Sequence, residues 1–219
     1  MSNYQPDQLI QSKPDKPIAR LIFAHGAGAG MDSDFMIEMD GLLTARGISV
    51  VRFNFNYMIK MQTEGKRRPP DRMPALLTRY REVLDTFSDD LPLFIGGKSM
   101  GGRASTLLMA EDDAPEQVSG TIVAGYPFHA PGKTEKLRID HFADIKCPAL
   151  ILQGERDSMG NQSLVSELSL PAAVNIHYLP DGDHSLKPRK ASGYSYQSHM
   201  EKAADEAVAF IQRQIMNES

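Results

Sequence analysis

An apolar run, Leu93–Ile95, leads into Gly97-Lys98-Ser99-Met100-Gly101, and an apolar helical pattern follows at Ala104, Leu107 and Leu108. A strand that turns into a helix within so few residues needs a very sharp bend. Side chains at the two outer glycines would strike neighbouring backbone, and the serine at the tip must adopt a strained conformation. This strand–Gly-x-Ser-x-Gly–helix succession reads either as a glycine-rich turn with an incidental serine or as a nucleophile elbow, in which the hydroxyl stands clear of a sheet at the start of a helix. The free N–H groups and dipole at that helix start favour negative charge. The stretch therefore constrains the fold to one that contains strand-to-helix crossovers.

Two phosphate-binding patterns share some of these letters. A P-loop ending at Gly97-Lys98-Ser99 needs glycine where Pro92 stands, and its loop has to follow the strand, whereas Pro92 precedes it. The second glycine-rich stretch, His25-Gly26-Ala27-Gly28-Ala29-Gly30, follows an apolar run over Ile18–Ala24. A dinucleotide fingerprint starting at Gly26 needs its third glycine where Met31 stands. Two readings remain for this loop: a flexible connection, or an oxyanion hole, which requires a backbone N–H free of side-chain bulk and of strand pairing.

Strand and helix patterns alternate along the rest of the chain. Asp32, Ser33 and Asp34 precede a helix with Phe35, Met36, Met39, Leu42 and Leu43 on one face, and Gly47 is expected to end it. Ile48–Phe53 reads as a strand. Asn54–Arg72 reads as a polar loop that gathers Lys60, Lys66, Arg67, Arg68 and Arg72, and a helix follows with Met73, Leu76, Leu77, Tyr80, Val83, Leu84 and Phe87 inward. Further strands are expected at Gly120–Gly125, Ala149–Gln153 and Asn175–Leu179, with a short helix over Gln162–Leu168 and a last helix carrying Met200 to Ile215. Such alternation implies an α/β fold, a parallel sheet with helices on both faces. Right-handed crossovers place the C-terminal ends of the strands on one edge, where ligands bind. The glycine loop, Ser99, Asp157 and His184 each follow a different strand, so all four fall on that edge.

Their order, Ser then Asp then His, matches the order this topology imposes on a catalytic triad. Ser99 would be the nucleophile, which at neutral pH needs a base within about 3 Å. His184 would accept and then return the proton. Asp157 would hold the imidazole in the required tautomer. The N–H groups of Met100 and Ala27 would bind the developing oxyanion, with Gly26 and Gly28 leaving room for substrate beside them. Each residue also has a plain structural reading: Asp157 as a turn or helix cap, His184 as a surface histidine, His25 as support for its loop. Joint occurrence on one edge favours the triad.

With these segments in view, the chain resembles the α/β-hydrolase superfamily, in outline the dienelactone-hydrolase-like proteins. More narrowly it is similar to the hydrolase-like group that includes the testis-expressed protein and the NSL-complex subunit. The resemblance is carried by His25–Gly28, Arg52–Phe55, Tyr57-Met58, Arg67–Arg72, Gly96–Arg103, Leu152–Asp157 and Gly182–Ser185. It implies a single α/β-hydrolase domain over 1–219, with 1–17 as an N-terminal arm. Two departures stand out. Dienelactone hydrolases proper carry a cysteine nucleophile where this chain has Ser99, and Asn56 occupies a place where the narrower group has proline. Typical members begin with an antiparallel hairpin, for which the residues before Ile18 leave room for one short strand near Gln8–Gln11. A mostly parallel sheet of about six strands, with one extra at the edge, is therefore expected. No large lid is expected, because Tyr126–Lys146 is too short to form one.

Two function classes follow: a serine hydrolase that cleaves a small ester, thioester or related acyl bond, or a hydrolase-like binding or scaffold protein with little turnover. The intact Ser, Asp and His set favours the first. Neither reading implies a cofactor or a metal. With 28 acidic and 24 basic residues the net charge is −4, which argues against nucleic acid as the partner. No run is long enough to span a membrane, and Met1–Lys16 lacks the apolar core of a signal peptide. Cys147 is the one cysteine, so no intrachain disulfide can form. A cytoplasmic monomer or homodimer acting on a small acyl substrate is the expectation. Arg67 and Arg68 belong either to a solvated loop that caps its helix or to the substrate contacts, since their loop follows a strand on the catalytic edge; facing Ser99, they would favour anionic substrates.

Overall fold

The computed structural model describes residue 5 and residues 7–218. Seven strands form one sheet: β1 (Ile10–Ser12), β2 (Ala19–Ala24), β3 (Ile48–Phe53), β4 (Leu93–Lys98), β5 (Val118–Ala124), β6 (Ala149–Gly154) and β7 (Val174–Leu179). Their order across the sheet is β1-β3-β2-β4-β5-β6-β7. Every neighbouring pair is parallel except β1 with β3. The expected sheet is present, and the extra edge strand is the antiparallel β1. The chain winds from β2 outward to β3, then crosses back to β4 on the other side. The order therefore reverses between β2 and β4, and the loops that leave these two strands flank the resulting crevice.

Six α-helices cover the sheet among the described residues: α1 (Asp34–Thr44), α2 (Asn56–Glu64), α3 (Met73–Leu84), α4 (Met100–Leu108), α5 (Gln162–Val165) and α6 (Tyr196–Glu218). Side chains alternate between faces along each strand, so β2 divides its residues between two cores. Leu21 and Phe23 pack with Met36, Met39 and Leu43 of α1 and with Met200, Ala203, Ala207 and Phe210 of α6. Ile22 and Ala24 pack on the opposite face with Leu76, Tyr80 and Val83 of α3 and Ala104 and Leu108 of α4. A third cluster, with Val123, Tyr126, Phe128, Phe142, Ile151 and Val165, extends the core toward α5. Burial on both faces explains why the strands read as continuous apolar runs.

Two elements differ from the sequence reading. Residues 54–72 are not wholly a loop: Asn56–Glu64 forms α2, which ends at Gly65 in the left-handed conformation (φ 65°). Tyr57, Met58 and Met61 supply its apolar side and face the α3 cluster. Asn56 opens this helix, a position where proline is equally at home. The first helix stops at Thr44 with Ala45 as its cap, and Gly47 serves the turn into β3 instead. The segment between β5 and β6 holds a single 3-10 turn, Asp140–Asp144, and no lid domain.

Candidate active site

Ser99 joins β4 to α4 with φ 50° and ψ −110°, a region non-glycine residues rarely occupy. The bend is so tight that a Cβ on Gly97 would lie 2.4 Å from the Ala24 carbonyl oxygen, and one on Gly101 would lie 2.5 Å from the same atom. Both glycines are thus required by the close approach of the neighbouring strand, as the motif demanded.

His184 follows β7 and reaches across the edge of the sheet. Its Nε2 lies 2.8 Å from Ser99 Oγ, and its Nδ1 lies 2.7 Å from Asp157 Oδ2. These three residues come from loops after β4, β6 and β7. Asp157 is fully buried, whereas the His184 side chain keeps 22% of its surface. The Asp157 carboxylate is held from several sides. Oδ2 accepts a 2.9 Å hydrogen bond from Gln153 Nε2, and Oδ1 accepts one of 2.7 Å from the Met159 N–H. One carboxylate thus both closes its own turn and contacts the His184 ring. Asp183, beside His184 in sequence, instead accepts from the Ser185 and Lys187 N–H groups and closes its own turn.

Gln153 is the residue that pattern reading passed over. It is fully buried at the end of β6. Its Oε1 accepts from the Tyr126 N–H at 2.8 Å, and its Nε2 also donates to the Gly160 carbonyl at 2.9 Å. One polar residue after the apolar run Ala149–Leu152 was the available signal. A buried amide must be satisfied, and here it is satisfied by the loop that carries Asp157.

On the other side of Ser99, the His25–Gly30 loop leaves β2. His25 is fully buried; its Nε2 accepts the Phe55 N–H at 3.1 Å and its Nδ1 donates to the Gly26 carbonyl at 2.7 Å. Burial pushes this imidazole down to about 4, so it is neutral. Tyr57 Oη lies 3.1 Å from the Ala27 carbonyl and 3.3 Å from that of Gly26. The helix α2 thus braces the loop, a contact between distant segments that sequence spacing does not expose. Met100 opens α4, where an N–H has no acceptor within the helix. Ala27 and Gly28 are exposed.

A cleft of about 510 Å3 runs over Ser99 and His184. Gly26, Ala27, Gly28 and Ala29 form one wall, and Phe35, Met36 and Met159 supply apolar surface. Lys98 also lines it. Its Nζ donates to the His184 carbonyl and lies 5.1 Å from the centre of the Phe35 ring. Burial pushes the Lys98 ammonium down to about 8, against the opposing pull of the Asp157 and Asp183 carboxylates. Arg67 and Arg68 do not line this cleft; both are exposed, and Arg68 pairs with Glu64.

The sequence matches the alpha/beta hydrolase domain family over residues 17–212. The chain belongs to that family. Solved structures with the same fold include the Est1E protein from Butyrivibrio proteoclasticus with ferulic acid bound. It is 15% identical, with a TM-score of 0.70 and 95% of each chain covered. A dienelactone hydrolase from Anabaena variabilis is 20% identical, with a TM-score of 0.68, covering 94% of this chain and 90% of its own. An esterase domain from a Rhodothermus marinus protein is 16% identical, with a TM-score of 0.66 and coverages of 93% and 91%. At these identities the likeness establishes the fold.

Proposed function

We propose that this α/β-hydrolase is a serine hydrolase that cleaves a small ester, thioester or related acyl bond. The observation that carries the reading is the unbroken relay from Ser99 Oγ through the His184 ring to buried Asp157, beside an open cleft. Ser99 Oγ attacks the acyl carbon as His184 Nε2 takes its proton. Asp157 stabilises the imidazolium and fixes the tautomer that presents a bare Nε2. The Met100 and Ala27 N–H groups receive the negative charge of the tetrahedral intermediate; losing one such donor costs on the order of 100- to 1000-fold in rate. His184 then protonates the leaving group, and an acyl-Ser99 remains. Water, activated by the same imidazole, releases the acid and restores Ser99. Gly26 and Gly28 keep side chains out of the path of the acyl group.

A fluorophosphonate probe tests this directly. One equivalent should attach to Ser99 of the wild-type protein and none to Ser99→Ala. Asp157→Asn should slow both labelling and ester turnover by about four orders of magnitude, as tautomer loss does in other triads. Folded wild-type protein that resists the probe would leave a hydrolase-like binding protein as the reading.

A further inference from the structure

A second cavity, of about 430 Å3, lies between α4 and the segment 130–141 and shares no lining residue with the Ser99 cleft. Its lining concentrates Arg103, Lys133, Lys136 and Arg138, with Asp140 as the carboxylate on its edge. This is a local excess of positive charge in a protein whose net charge is −4. Among the described residues none of these four cations forms an ion pair. Arg103 Nε is moreover buried without a hydrogen-bond partner.

The walls are built rather than incidental. Arg138 N–H donates to the Phe128 carbonyl at 2.8 Å, Lys133 N–H donates to that of Ala130 at 3.0 Å, and His129 bridges Leu137 as in a small antiparallel ladder. His141 is held by Thr106 Oγ1 at 3.0 Å, and burial followed by the Arg103 charge pushes it down to about 4. It is therefore neutral and adds no charge. Burial, and then the like charge of Arg103, hold Arg138 below its ordinary value. Two guanidiniums that repel each other across a cavity are both relieved by one multiply charged anion. Planar guanidinium forks suit phosphoryl oxygens, and Leu107, Ala130 and Leu137 offer apolar surface for an organic body. The volume falls in the small-molecule range, larger than an inorganic ion would fill.

We propose that this cavity binds a small phosphate ester at a site separate from Ser99. Calorimetric titration of the full chain carrying Ser99→Ala with phenyl phosphate tests it. Because binding heat is read in the absence of the nucleophile, the outcome is independent of whether the protein turns over esters. Saturable binding is expected, tighter than for inorganic phosphate or phenol alone and weakened by salt. Arg103→Gln should raise the Kd by about tenfold or more, the scale of a lost charge-assisted hydrogen bond. Lys133→Gln/Lys136→Gln changes two exposed side chains, spares the fold, and should weaken binding several-fold. Absence of saturable binding, or a Kd unchanged in the lysine pair and in folded Arg103→Gln, overturns the proposal.

Discussion

His25 shows how one side chain can set the pH response of a fold. Its ring accepts the Phe55 N–H and donates to the Gly26 carbonyl, which fixes a single neutral tautomer. Burial holds it near 4, whereas an unfolded-state histidine titrates near 6.5. Between those values the unfolded chain binds more protons, so stability rises with pH there and is lost as pH falls toward 4. His141 is shifted to the same value by burial and adds to the effect with the same sign. Each such group contributes up to about 1.4 kcal/mol per pH unit across the window. His25→Leu should therefore do two things in urea unfolding. At pH 7 it should cost about 1–3 kcal/mol, because the Phe55 N–H is left without an acceptor. Between pH 6.5 and 4 it should flatten the loss of stability, leaving the His141 share. A mutant slope equal to the wild-type slope would remove His25 from this role.

Elements of this chain are tied together by a few buried polar groups, and one of them fixes the edge of the sheet. Asp40 on α1 accepts from Arg52 Nε of β3 at 2.6 Å, from Ser12 Oγ of β1 at 2.9 Å and from Thr44 Oγ1 at 3.0 Å. Arg52 also donates to the Met31 carbonyl at the start of that helix. Both charged side chains are almost fully buried, at 3% and 8% exposed. Removing one member of such a pair strands the other, so Asp40→Leu should destabilise the protein by about 3–5 kcal/mol in denaturant unfolding. Asp40→Leu/Arg52→Met, which removes both charges, should recover part of that loss. A double mutant as unstable as the single one would mean the pair is not the cause. None of this was legible in the sequence, where Arg52 is one charge in an apolar strand and Asp40 one acid in a helix. The strands themselves were legible, since burial on both faces gives continuous apolar runs. The helix α2 was masked by Lys60 and the cluster Lys66–Arg68 that follows it, although Tyr57, Met58 and Met61 carry the helical spacing. At the site, Ser99, Asp157 and His184 stood out because each follows a strand. Gln153 and Tyr57 did not, since their partners are fixed by tertiary packing rather than by spacing.

At the scale of the whole molecule, sheet order decides which loops share the crevice, and that decides what the cleft can recognise. The reversal of strand order between β2 and β4 brings the His25–Gly30 loop beside Ser99. Residues 65–72, which follow α2, hold Arg67 and Arg68 in exposed positions, and neither lines the cleft. Exposed charges of this kind are screened over about 10 Å at 0.1 M salt. The cleft wall itself offers Phe35, Met36 and Met159, and its charged residues Lys98 and Asp34 are of opposite sign, so a short acyl chain without charge is the better match. The expected result is a comparison of two esters with the same leaving group, one with a short neutral acyl chain and one ending in a carboxylate. Wild-type protein should favour the neutral ester in kcat/KM, and Arg67→Ala/Arg68→Ala should leave the ratio unchanged, at low salt and at high salt alike. A carboxylate preference that falls in the double mutant and with added salt would mean that residues 65–72 fold over the bound substrate, and would make Arg67 and Arg68 part of its recognition.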